Sequence, residues 1–416
     1  MTVKKEIYVT VDSALETILA SVFLVDGENI PLLKACGRIL YEDVQSDVNV
    51  PPCDNSAMDG FAVRAESTTG ATENTPRHFM LRGEIQAGGY SNTIPVAKET
   101  AIRIMTGAPI PPGANAVIPV ENTEEDTNRG VISVFMELRE YDNIRFAGED
   151  IKVNQKVLNK GIRLSSADIG ILAALNRRNI SVYKKPRVAI ISTGDEVAEI
   201  GEEIRFGQIR NSNAYTLLAE IEKYNGTPVY LGIARDSIKQ TRDIMLKALE
   251  NEIVITTGGV SKGKYDFVKE VLTDLGVDLL YDSIQMKPGK PMIFGKKNRT
   301  LVFGLPGNPV STMISFIEFV RPAMLAMSGA SKLSKPALNA IIDSEIRKKP
   351  GRREFLRGLF SIKNGIPHVL STGSQGSGIL RSMSIANCLI ILPEDSSGCQ
   401  VGDTVSIQLI NHEEVD

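Results

Sequence analysis

The sequence has 416 residues, of which 42% are hydrophobic and 23% are charged, with a formal net charge of -3 and four cysteines. This length predicts two to four domains, and the small net charge excludes a general attraction to nucleic acid or to an anionic membrane surface. The cysteines form no CxxC pair, which excludes an encoded zinc site or disulfide framework. A polar start and the lack of a run of about 18 apolar residues predict a soluble, cytoplasmic protein.

The first third of the chain combines one helix with many short extended segments. Residues 10–24 carry apolar side chains at helical spacing, which predicts a helix. Residues 48–147 contain short β-branched runs, such as 101–105 and 131–135, between proline and glycine turns. They predict a small β-rich domain, in which the polar residues 121–130 are expected to form a solvated loop.

The middle of the chain changes to apolar runs that alternate with helical patterns. Strands are predicted at residues 188–192, 228–233, 252–256 and 301–304, and helices at 214–224, 238–249 and 309–327. Such alternation is typical of a parallel sheet covered by helices. After the linker 332–336, short strands and turns predict a small C-terminal β-barrel.

Two clusters of glycine and polar residues follow predicted strands, at the sheet edge where open α/β sheets bind ligands. In the first, Ser192 and Gly194 precede the carboxylates of Asp195 and Glu196, which could hold Mg²⁺ or could cap a helix. The second cluster begins at residue 256. Both interpretations of the first cluster are open at this point.

The second cluster contains Gly258, Gly259 and Ser261, with Asp266 a few residues downstream. Adjacent glycines allow a phosphate to approach the backbone closely, although they would also suit a tight turn. The segment is not a Walker A loop.

Cations and a helix start follow further along the chain. Lys287 and Lys290 stand on a proline-stiffened turn, which suits anion binding but also suits an exposed surface turn. Pro306 and Pro309 flank the start of the predicted helix 309–327, and a helix N-terminus offers unpaired N–H groups to an oxyanion.

Three further short segments offer weaker signals of an anion or carboxylate site. Asp54 and Asp59 share one loop, which Asx turns alone could explain. Near the C-terminus, Arg352 and Ser377 supply a guanidinium and a hydroxyl donor suited to an anion.

Taken in order, seven short motifs resemble the MoeA family of molybdopterin molybdenumtransferases and the related E domain of gephyrin, over residues 10–409. The motifs are DNSAMDGFA (54–62), IRIMTGAP (102–109), IRFAGED (144–150), STGDE (192–196), TTGGVS (256–261), MKPGKP (286–291) and LPGNPVS (305–311). Each is short, so the specificity lies in the set and its spacing. One departure is Ser283, at a position where some relatives carry a second basic residue.

This resemblance implies an enzyme in which molybdate attacks adenylylated molybdopterin, AMP leaves, and molybdenum ends on the dithiolene sulfurs of the pterin with the help of Mg²⁺. Because the substrate supplies the sulfur ligands, no cysteine site is needed. With the strand-end residues above, the candidate site residues are catalytic Asp59, Thr106, Asp150, Lys287 and Lys290; cofactor-binding Ser192, Gly194, Gly258, Gly259, Ser261, Pro306, Pro309, Arg352 and Ser377; and metal-binding Glu196, Asp236 and Asp266.

The resemblance also implies a homodimer in which the β-rich side of one subunit, with Asp59, Thr106 and Asp150, faces the α/β domain of the other. Transient contacts with a molybdopterin adenylyltransferase and with acceptor enzymes are expected, whereas nucleic acid and membrane are not. We predict a multidomain α/β plus β fold. Its domains are an α/β domain with a mainly parallel sheet of the molybdopterin-binding type (1–24 and 181–330), an extended linking domain (25–50 and 147–180), an inserted β-rich domain (51–146) and a C-terminal β-barrel (331–416).

Two other functions are open at this stage. The α/β domain alone resembles the adenylyltransferases that make adenylylated molybdopterin from ATP, but those enzymes consist of that single domain. A gephyrin-like scaffold is the non-enzymatic alternative, since a fold does not fix a function. The acids and lysines at every matched position favour an enzyme over a scaffold.

Overall fold

A computed structural model describes residues 8–89, 95–260 and 267–410 of the chain. It divides into two compact units, which are described separately. Unit 1 comprises Met1–Tyr41, Gly161–Ser165 and Ile180–Asp416, and unit 2 comprises Glu42–Lys160 and Ser166–Asn179. The four-domain division predicted from the sequence stays a proposal beside this two-unit division.

Eight α-helices and twenty-nine short strands occur within the described ranges. The helices are α1 (Val11–Ser21), α2 (Ser166–Ala174), α3 (Ser212–Lys223), α4 (Ile238–Ala248), α5 (Val268–Asp274), α6 (Pro309–Ser315), α7 (Arg321–Met327) and α8 (Arg381–Ile385). The strands are β1 (Tyr8–Val9), β2 (Gly27–Pro31), β3 (Val44–Gln45), β4 (Asn55–Ser56), β5 (Gly60–Val63), β6 (Arg77–Ile85), β7 (Thr100–Ile104), β8 (Ala116–Pro119), β9 (Thr123–Asp126), β10 (Val131–Val134), β11 (Ile144–Arg145), β12 (Lys156–Leu158), β13 (Asn179–Tyr183), β14 (Arg187–Thr193), β15 (Val197–Ala198), β16 (Ile209–Arg210), β17 (Thr227–Ala234), β18 (Ile253–Thr257), β19 (Asp278–Ile284), β20 (Met286–Lys287), β21 (Pro291–Lys297), β22 (Thr300–Leu305), β23 (Ala337–Ile342), β24 (Ile346–Arg347), β25 (Arg353–Lys363), β26 (Ile366–Ser371), β27 (Cys388–Leu392), β28 (Gly398–Cys399) and β29 (Thr404–Leu409).

A seven-stranded sheet forms the centre of unit 1, in the order β1-β19-β21-β22-β18-β14-β17. Four of its neighbouring pairs are parallel, and only the two pairs made by β21 are antiparallel. All residues of β18 are buried, as expected for a parallel strand that is covered on both faces. The mainly parallel sheet predicted from the sequence is therefore confirmed.

Helices cover both faces of this sheet and bury two apolar clusters. On one face, α1, α3, α6 and α7 contribute residues such as Ile18, Leu217 and Met324. On the other face, α4 and α5 contribute Met245 and Leu272. In α1, α3 and α4 the buried residues recur at a spacing of three or four, which is what the sequences of these helices predict.

The C-terminal part of unit 1 is a closed barrel. Strands β25-β26-β23-β29-β27 pair in that order, and a further pairing of β25 with β27 closes the ring. Its interior is a separate apolar cluster that includes Phe360, Val369 and Ile407. The predicted C-terminal β-barrel is confirmed.

Unit 2 is built around a six-stranded sheet in the order β8-β5-β7-β6-β10-β9. The runs predicted at 101–105 and 131–135 form β7 and β10. The prediction of a loop over residues 121–130 is wrong in part, because β9 lies within this stretch and pairs with β10. An edge strand whose residues are alternately half-buried and exposed can carry acidic side chains, so its composition resembles that of a loop.

One helical run among the described residues, Pro309–Met327, is long and apolar enough by composition to cross a membrane. Of its apolar window, 83% is buried inside the protein. It continues from α6 through a π-helical turn, Phe316–Val320, into α7 and packs against the central sheet. Its apolar character is that of a core helix.

Candidate active site

Four strands of the unit 1 sheet end together at one edge. Thr193 at the end of β14 pairs with Ala234 of β17, and Thr257 of β18 pairs with Leu305 of β22. The loops that follow these strands carry the clusters that the sequence singled out. They form two pockets, which we call the acidic pocket and the anion pocket.

The acidic pocket encloses about 110 Å³ between the ends of β14, β17 and β18. It brings together Glu196 and Asp236, which are separated by 40 positions in the sequence. The residues that line it are Thr193, Gly194, Glu196, Ala234, Arg235, Asp236, Thr241, Gly258, Gly259, Phe267 and Val268. The predicted residues Ser261 and Asp266 lie outside the described residues, and within the described ranges there is no group of three or more potential metal ligands.

Glycine is required at this pocket for two physical reasons. Gly194 has a φ of +123°, and a Cβ there would lie 2.3 Å from a carboxylate oxygen of Glu196. Gly258 and Gly259 also have positive φ, and a Cβ on either would meet the Thr193 hydroxyl at 2.9–3.0 Å. These glycines let the two strand-end loops approach each other and keep the carboxylate of Glu196 against the backbone.

Arg235 is the cation that organises the acidic pocket, a role that no local sequence pattern predicts. Its Nη1 donates to the backbone carbonyls of Asp195 at 3.3 Å and of Val197 at 2.8 Å. The backbone N–H of Asp236 donates to the Asp195 carboxylate at 3.2 Å. The loop with Asp195 and Glu196 is thereby tied to the end of β17.

Ser192 lies behind the pocket rather than in its lining. Its buried hydroxyl donates to the side-chain oxygen of Asn211 at 2.9 Å, and the amide of Asn211 donates to Glu199 at 3.0 Å. Burial raises the pKa of Glu199, but hydrogen bonds from Tyr230, Asn211 and Tyr215 outweigh it and hold that pKa below its usual value. Ser192 is therefore part of a buried network that fixes the strand end.

The anion pocket encloses about 370 Å³ between the edge of the central sheet and the barrel. It collects three predicted cations, the start of α6 and the Gly376–Ser377 turn. The residues that line it are Met286, Lys287, Pro288, Gly289, Lys290, Pro291, Pro306, Asn308, Ser311, Arg352, Gln375, Gly376 and Ser377. The sequence-predicted Lys287, Lys290, Pro306, Arg352 and Ser377 thus share one cavity.

The positive charges of the anion pocket differ in how they are held. Lys287 Nζ lies 3.3 Å from both carboxylate oxygens of Glu354, which is only 4% exposed. Lys290 Nζ lies 5.4 Å from the centre of the Tyr8 ring. Arg352 has no hydrogen bond or ion pair with any described residue, so its guanidinium is available to a bound anion.

Pairing between sheet and barrel builds this pocket. Strand β20 runs parallel to β25, so that Lys287 is opposite Glu354. On the other wall, the Gln375 side chain accepts from the backbone N–H of Arg357 at 2.9 Å and donates to its carbonyl at 3.1 Å. The N–H of Val310 donates to the carbonyl of Ser377 at 3.1 Å, which fixes that turn against the start of α6.

The two pockets are neighbours. The N–H of Gly258 donates to the carbonyl of Leu305 at 3.0 Å, and Gly307 stands beside Gly258. Pro309 occupies the first turn of α6, where it does not lose a helical hydrogen bond. A ligand that extends from the anion pocket to the acidic pocket would pass these backbone groups.

Unit 2 contains a third assembly, which joins three of the sequence motifs. Asp59 accepts from the backbone N–H and the hydroxyl of Thr106 at 2.7 and 2.8 Å, and both bonds lower the pKa of Asp59. Asp54 accepts from the N–H of Ala147 at 2.8 Å, which ties the loop of Asp150 to the same place. We call Asp54, Asp59, Thr106 and Asp150 the unit 2 carboxylate cluster; its three acids are exposed.

Sequence reasoning missed several residues of the anion pocket. Glu354 stands in an apolar strand, where a buried acid signals a partner, but nothing local identifies Lys287 as that partner. No local pattern identifies Gln375 as a partner of the Arg357 backbone. Ser283, the departure from the family pattern, is buried at the end of β19.

Comparisons with known proteins cover nearly the whole chain. Residues 9–176 match the MoeA N-terminal region (domain I and II), 189–326 match a probable molybdopterin binding domain, and 339–410 match the MoeA C-terminal region (domain IV). The chain is 36% identical to the molybdopterin molybdenumtransferase of Haemophilus influenzae over 97% of its own length and 99% of that protein. It is 32% identical to the Bacillus subtilis protein of the same name, over 99% and 96% of the two chains.

A solved structure is also similar over its full length. The crystal structure of the molybdopterin biosynthesis MoeA protein from Pyrococcus horikoshii has a TM-score of 0.84 and 34% sequence identity, and the match covers 97% of this chain and all of that one. The similarity therefore extends to the arrangement of the strands and helices that carry the pockets.

Proposed function

Because this chain belongs to the MoeA family of molybdopterin molybdenumtransferases, we propose that it consumes molybdate and adenylylated molybdopterin and releases AMP. In this reaction the molybdenum becomes bound to the dithiolene sulfurs of the pterin. The reaction takes its sulfur ligands from the substrate, in keeping with cysteines that are scattered along the sequence.

The observation that carries this proposal is the anion pocket. Molybdate is a small tetrahedral dianion, and Lys287, Lys290 and Arg352 converge on a cavity of about 370 Å³. Arg352 has no anionic partner among the described residues, so binding molybdate would not require an existing ion pair to break. The start of α6 adds the positive end of a helix dipole.

Lys287 has the most defined position of the three cations. Its ammonium group is held by the buried carboxylate of Glu354, so little side-chain entropy remains to be lost when it engages an anion. We propose that Lys287 orients molybdate, while Arg352 and Ser377 complete the binding of its oxygens. Lys290 neutralises charge at the mouth of the pocket.

The acidic pocket suits Mg²⁺, which is usually held by one or two carboxylates together with waters and substrate phosphates. Glu196 and Asp236 supply two such carboxylates in one cavity, and we propose Asp266 as a third. When bound, Mg²⁺ would neutralise the phosphate oxygens of the adenylylated substrate. Arg235 and the glycines at 258 and 259 hold the loops so that backbone N–H groups can receive those phosphates.

We further propose that the protein is a cytoplasmic homodimer and that the unit 2 carboxylate cluster faces the α/β domain of the partner subunit. What supports this role is the exposure of Asp59 and Asp150 on one assembly of loops. Thr106 donates two hydrogen bonds to Asp59 and so keeps it ionised and oriented. Contacts with an adenylyltransferase and with acceptor enzymes would be transient.

The direct test measures AMP released from adenylylated molybdopterin by the purified full chain. We expect release that requires both molybdate and Mg²⁺, with tungstate compared in parallel. Asp59→Ala and Arg352→Ala should each lower the rate strongly. If both variants retained full activity, the site assignment would be wrong.

Two controls separate the alternatives. ATP-dependent adenylylation of molybdopterin in the absence of molybdate would indicate an adenylyltransferase instead. A protein that is folded by circular dichroism but releases no AMP under any of these conditions would indicate a scaffold.

A further inference from the structure

A second basic pocket lies in unit 1, between the end of α3, the π-helical turn with α7, and the segment that leads to the barrel. It encloses about 340 Å³. Its lining combines apolar and basic residues: Ile39, Gly161, Ile162, Arg163, Tyr224, Arg321, Leu325, Ala330, Ser331 and Lys332. None of these residues contributes to the acidic pocket or the anion pocket.

Arg321 forms the base of this pocket and is only 6% exposed. Its Nε donates to the carbonyl of Ile317 at 3.2 Å, and no carboxylate among the described residues lies within ion-pair distance of its guanidinium. A buried guanidinium without an ion pair is costly, because its desolvation is not offset by an opposite charge. It stands directly after the π-helical turn Phe316–Val320, a distortion that is frequent at functional sites.

Several cations surround the ring of Tyr224 at the same place. The guanidinium of Arg321 lies 5.5 Å from the ring centre, and the ammonium groups of Lys335 and Lys223 lie at 5.6 and 5.9 Å. Burial, together with the charges of Arg321 and Lys223, lowers the pKa of Lys335 to about 8. The cations therefore repel one another, and a bound anion would relieve that repulsion.

The nearby acidic side chains do not balance the positive charges of these cations. Glu220 and Glu318 are the acids that act on Arg321, and Glu318 already accepts a hydrogen bond of 2.7 Å from Gln408. Arg163 donates to the carbonyls of Gly37 and Lys223 and so stabilises the end of α3. Arg321, Lys332 and Lys335 have no ion pair with a described residue.

We propose that this pocket binds a small organic phosphate, with the phosphate dianion on Arg321 and Lys332 and the apolar body of the ligand against Tyr224, Ile162 and Leu325. The excess of cations favours a dianion over a monoanion. The apolar wall favours an organic ligand over inorganic phosphate, because only the former buries apolar surface there.

The test is isothermal titration calorimetry of the full chain with phenyl phosphate, inorganic phosphate and phenol. Because phosphates can also enter the anion pocket, each titration is repeated with the Arg352→Ala variant. We expect phenyl phosphate to bind the Arg352→Ala variant at this pocket with the same affinity as in the unaltered protein. In that variant, phenyl phosphate should also bind more tightly than inorganic phosphate or phenol does. Loss of all binding in that variant would overturn the proposal.

Arg321→Met should weaken phenyl phosphate binding about tenfold or more, as expected for losing a charged hydrogen-bond donor. The matched control is Arg299→Met, because the Arg299 guanidinium also lies over an aromatic ring, that of Phe23, at 4.3 Å, but in another pocket. If Arg321→Met does not fold, Lys332→Met and Tyr224→Leu, at two other residues that line the pocket, serve instead, each with an expected loss of a few-fold. Unchanged affinity in the folded variants would overturn the proposal.

Discussion

The acidic pocket and the anion pocket lie side by side at one sheet edge but are built differently. The acidic pocket is small, is formed by loops after parallel strands, and presents two carboxylates. The anion pocket is larger, needs the pairing of β20 with a barrel strand, and presents three cations. The two carboxylates Glu196 and Asp236 and the three cations thus line separate cavities, which approach each other at Gly258 and Gly307.

This difference suits the binding of a cation in one pocket and of an oxyanion in the other. If all the charges shared one cavity, the carboxylates and the cations of the protein would pair with each other. They would then be less available to a bound metal ion and a bound oxyanion. In the proposed reaction, with the barrel contributing Arg352 and the sheet contributing Glu196, each ion would keep its own ligands while a substrate would span both pockets. If the two pockets bind their ions independently, a change in one pocket should leave the ion dependence of the other unchanged.

The largest effect is expected from Lys287→Met. This change removes an oriented ammonium group and leaves Glu354 buried without its counter-ion. We expect kcat/KM for molybdate in AMP release to fall on the order of 100-fold. Lys239→Met, an exposed lysine of α4, is the control, and the Mg²⁺ dependence should be the same in both variants. A changed Mg²⁺ requirement would show that the pockets are not separable.

The second effect concerns metal binding. Glu196→Gln and Asp236→Asn each remove a negative oxygen ligand, so the Mg²⁺ concentration for half-maximal AMP release should rise at least about tenfold. The KM for molybdate at saturating Mg²⁺ should not change. The exposed Glu203→Gln is the matched control. Equal Mg²⁺ curves for all three variants would remove the metal site from the acidic pocket.

The sequence predicted the acidic pocket better than the anion pocket. Glu196 and the glycines 258 and 259 directly follow β-branched runs, and parallel strands bring such ends together at one edge, so local pattern predicts their location but not their role. Lys287 and Arg352 come together only through the β20–β25 pairing, which no local pattern encodes. Each is a candidate anion ligand from its own segment, but only the family resemblance predicts that the two share one site.

The same limit applies to positions where the partner is distant. Glu354 and Arg235 act through residues 67 and about 40 positions away, so their roles depended on tertiary structure. The polar stretch that includes β9 was misjudged because an edge strand can be as acidic as a turn. In each case the missing information is which distant residues come into contact, and local sequence patterns do not specify this.

A third prediction concerns the wall of the anion pocket. Gln375→Leu keeps the side-chain volume but leaves the N–H and carbonyl of Arg357 without these partners. We expect a loss of about 1–3 kcal/mol in the free energy of unfolding by urea. The KM for molybdate should rise a few-fold through displacement of Ser377, and the Mg²⁺ dependence should stay constant. The exposed Gln400→Leu, in the same barrel, should change neither quantity.

The smallest effect is expected from Asp12→Asn, which tests whether a surface ion pair also supports that wall. Asp12 in α1 accepts two hydrogen bonds from Arg353 at 2.7 and 2.8 Å, but it is largely exposed, and Arg353 also pairs with Glu394. We therefore expect a loss of at most a few tenths of a kcal/mol in the free energy of unfolding.

The pH dependence of this effect follows from the pKa of Asp12, which the hydrogen bonds of Arg353 lower below the usual value of 3.8. The contribution of a carboxylate with a lowered pKa is complete above its unfolded pKa and is lost as the pH falls through the folded pKa. The difference in unfolding free energy between Asp12→Asn and the unaltered protein should thus be constant from pH 5 to pH 7 and shrink below about pH 4. A several-fold change in the KM for molybdate in Asp12→Asn would instead mean that the anion pocket depends on surface charge. The anion pocket would then not be held by the pairing of sheet and barrel alone.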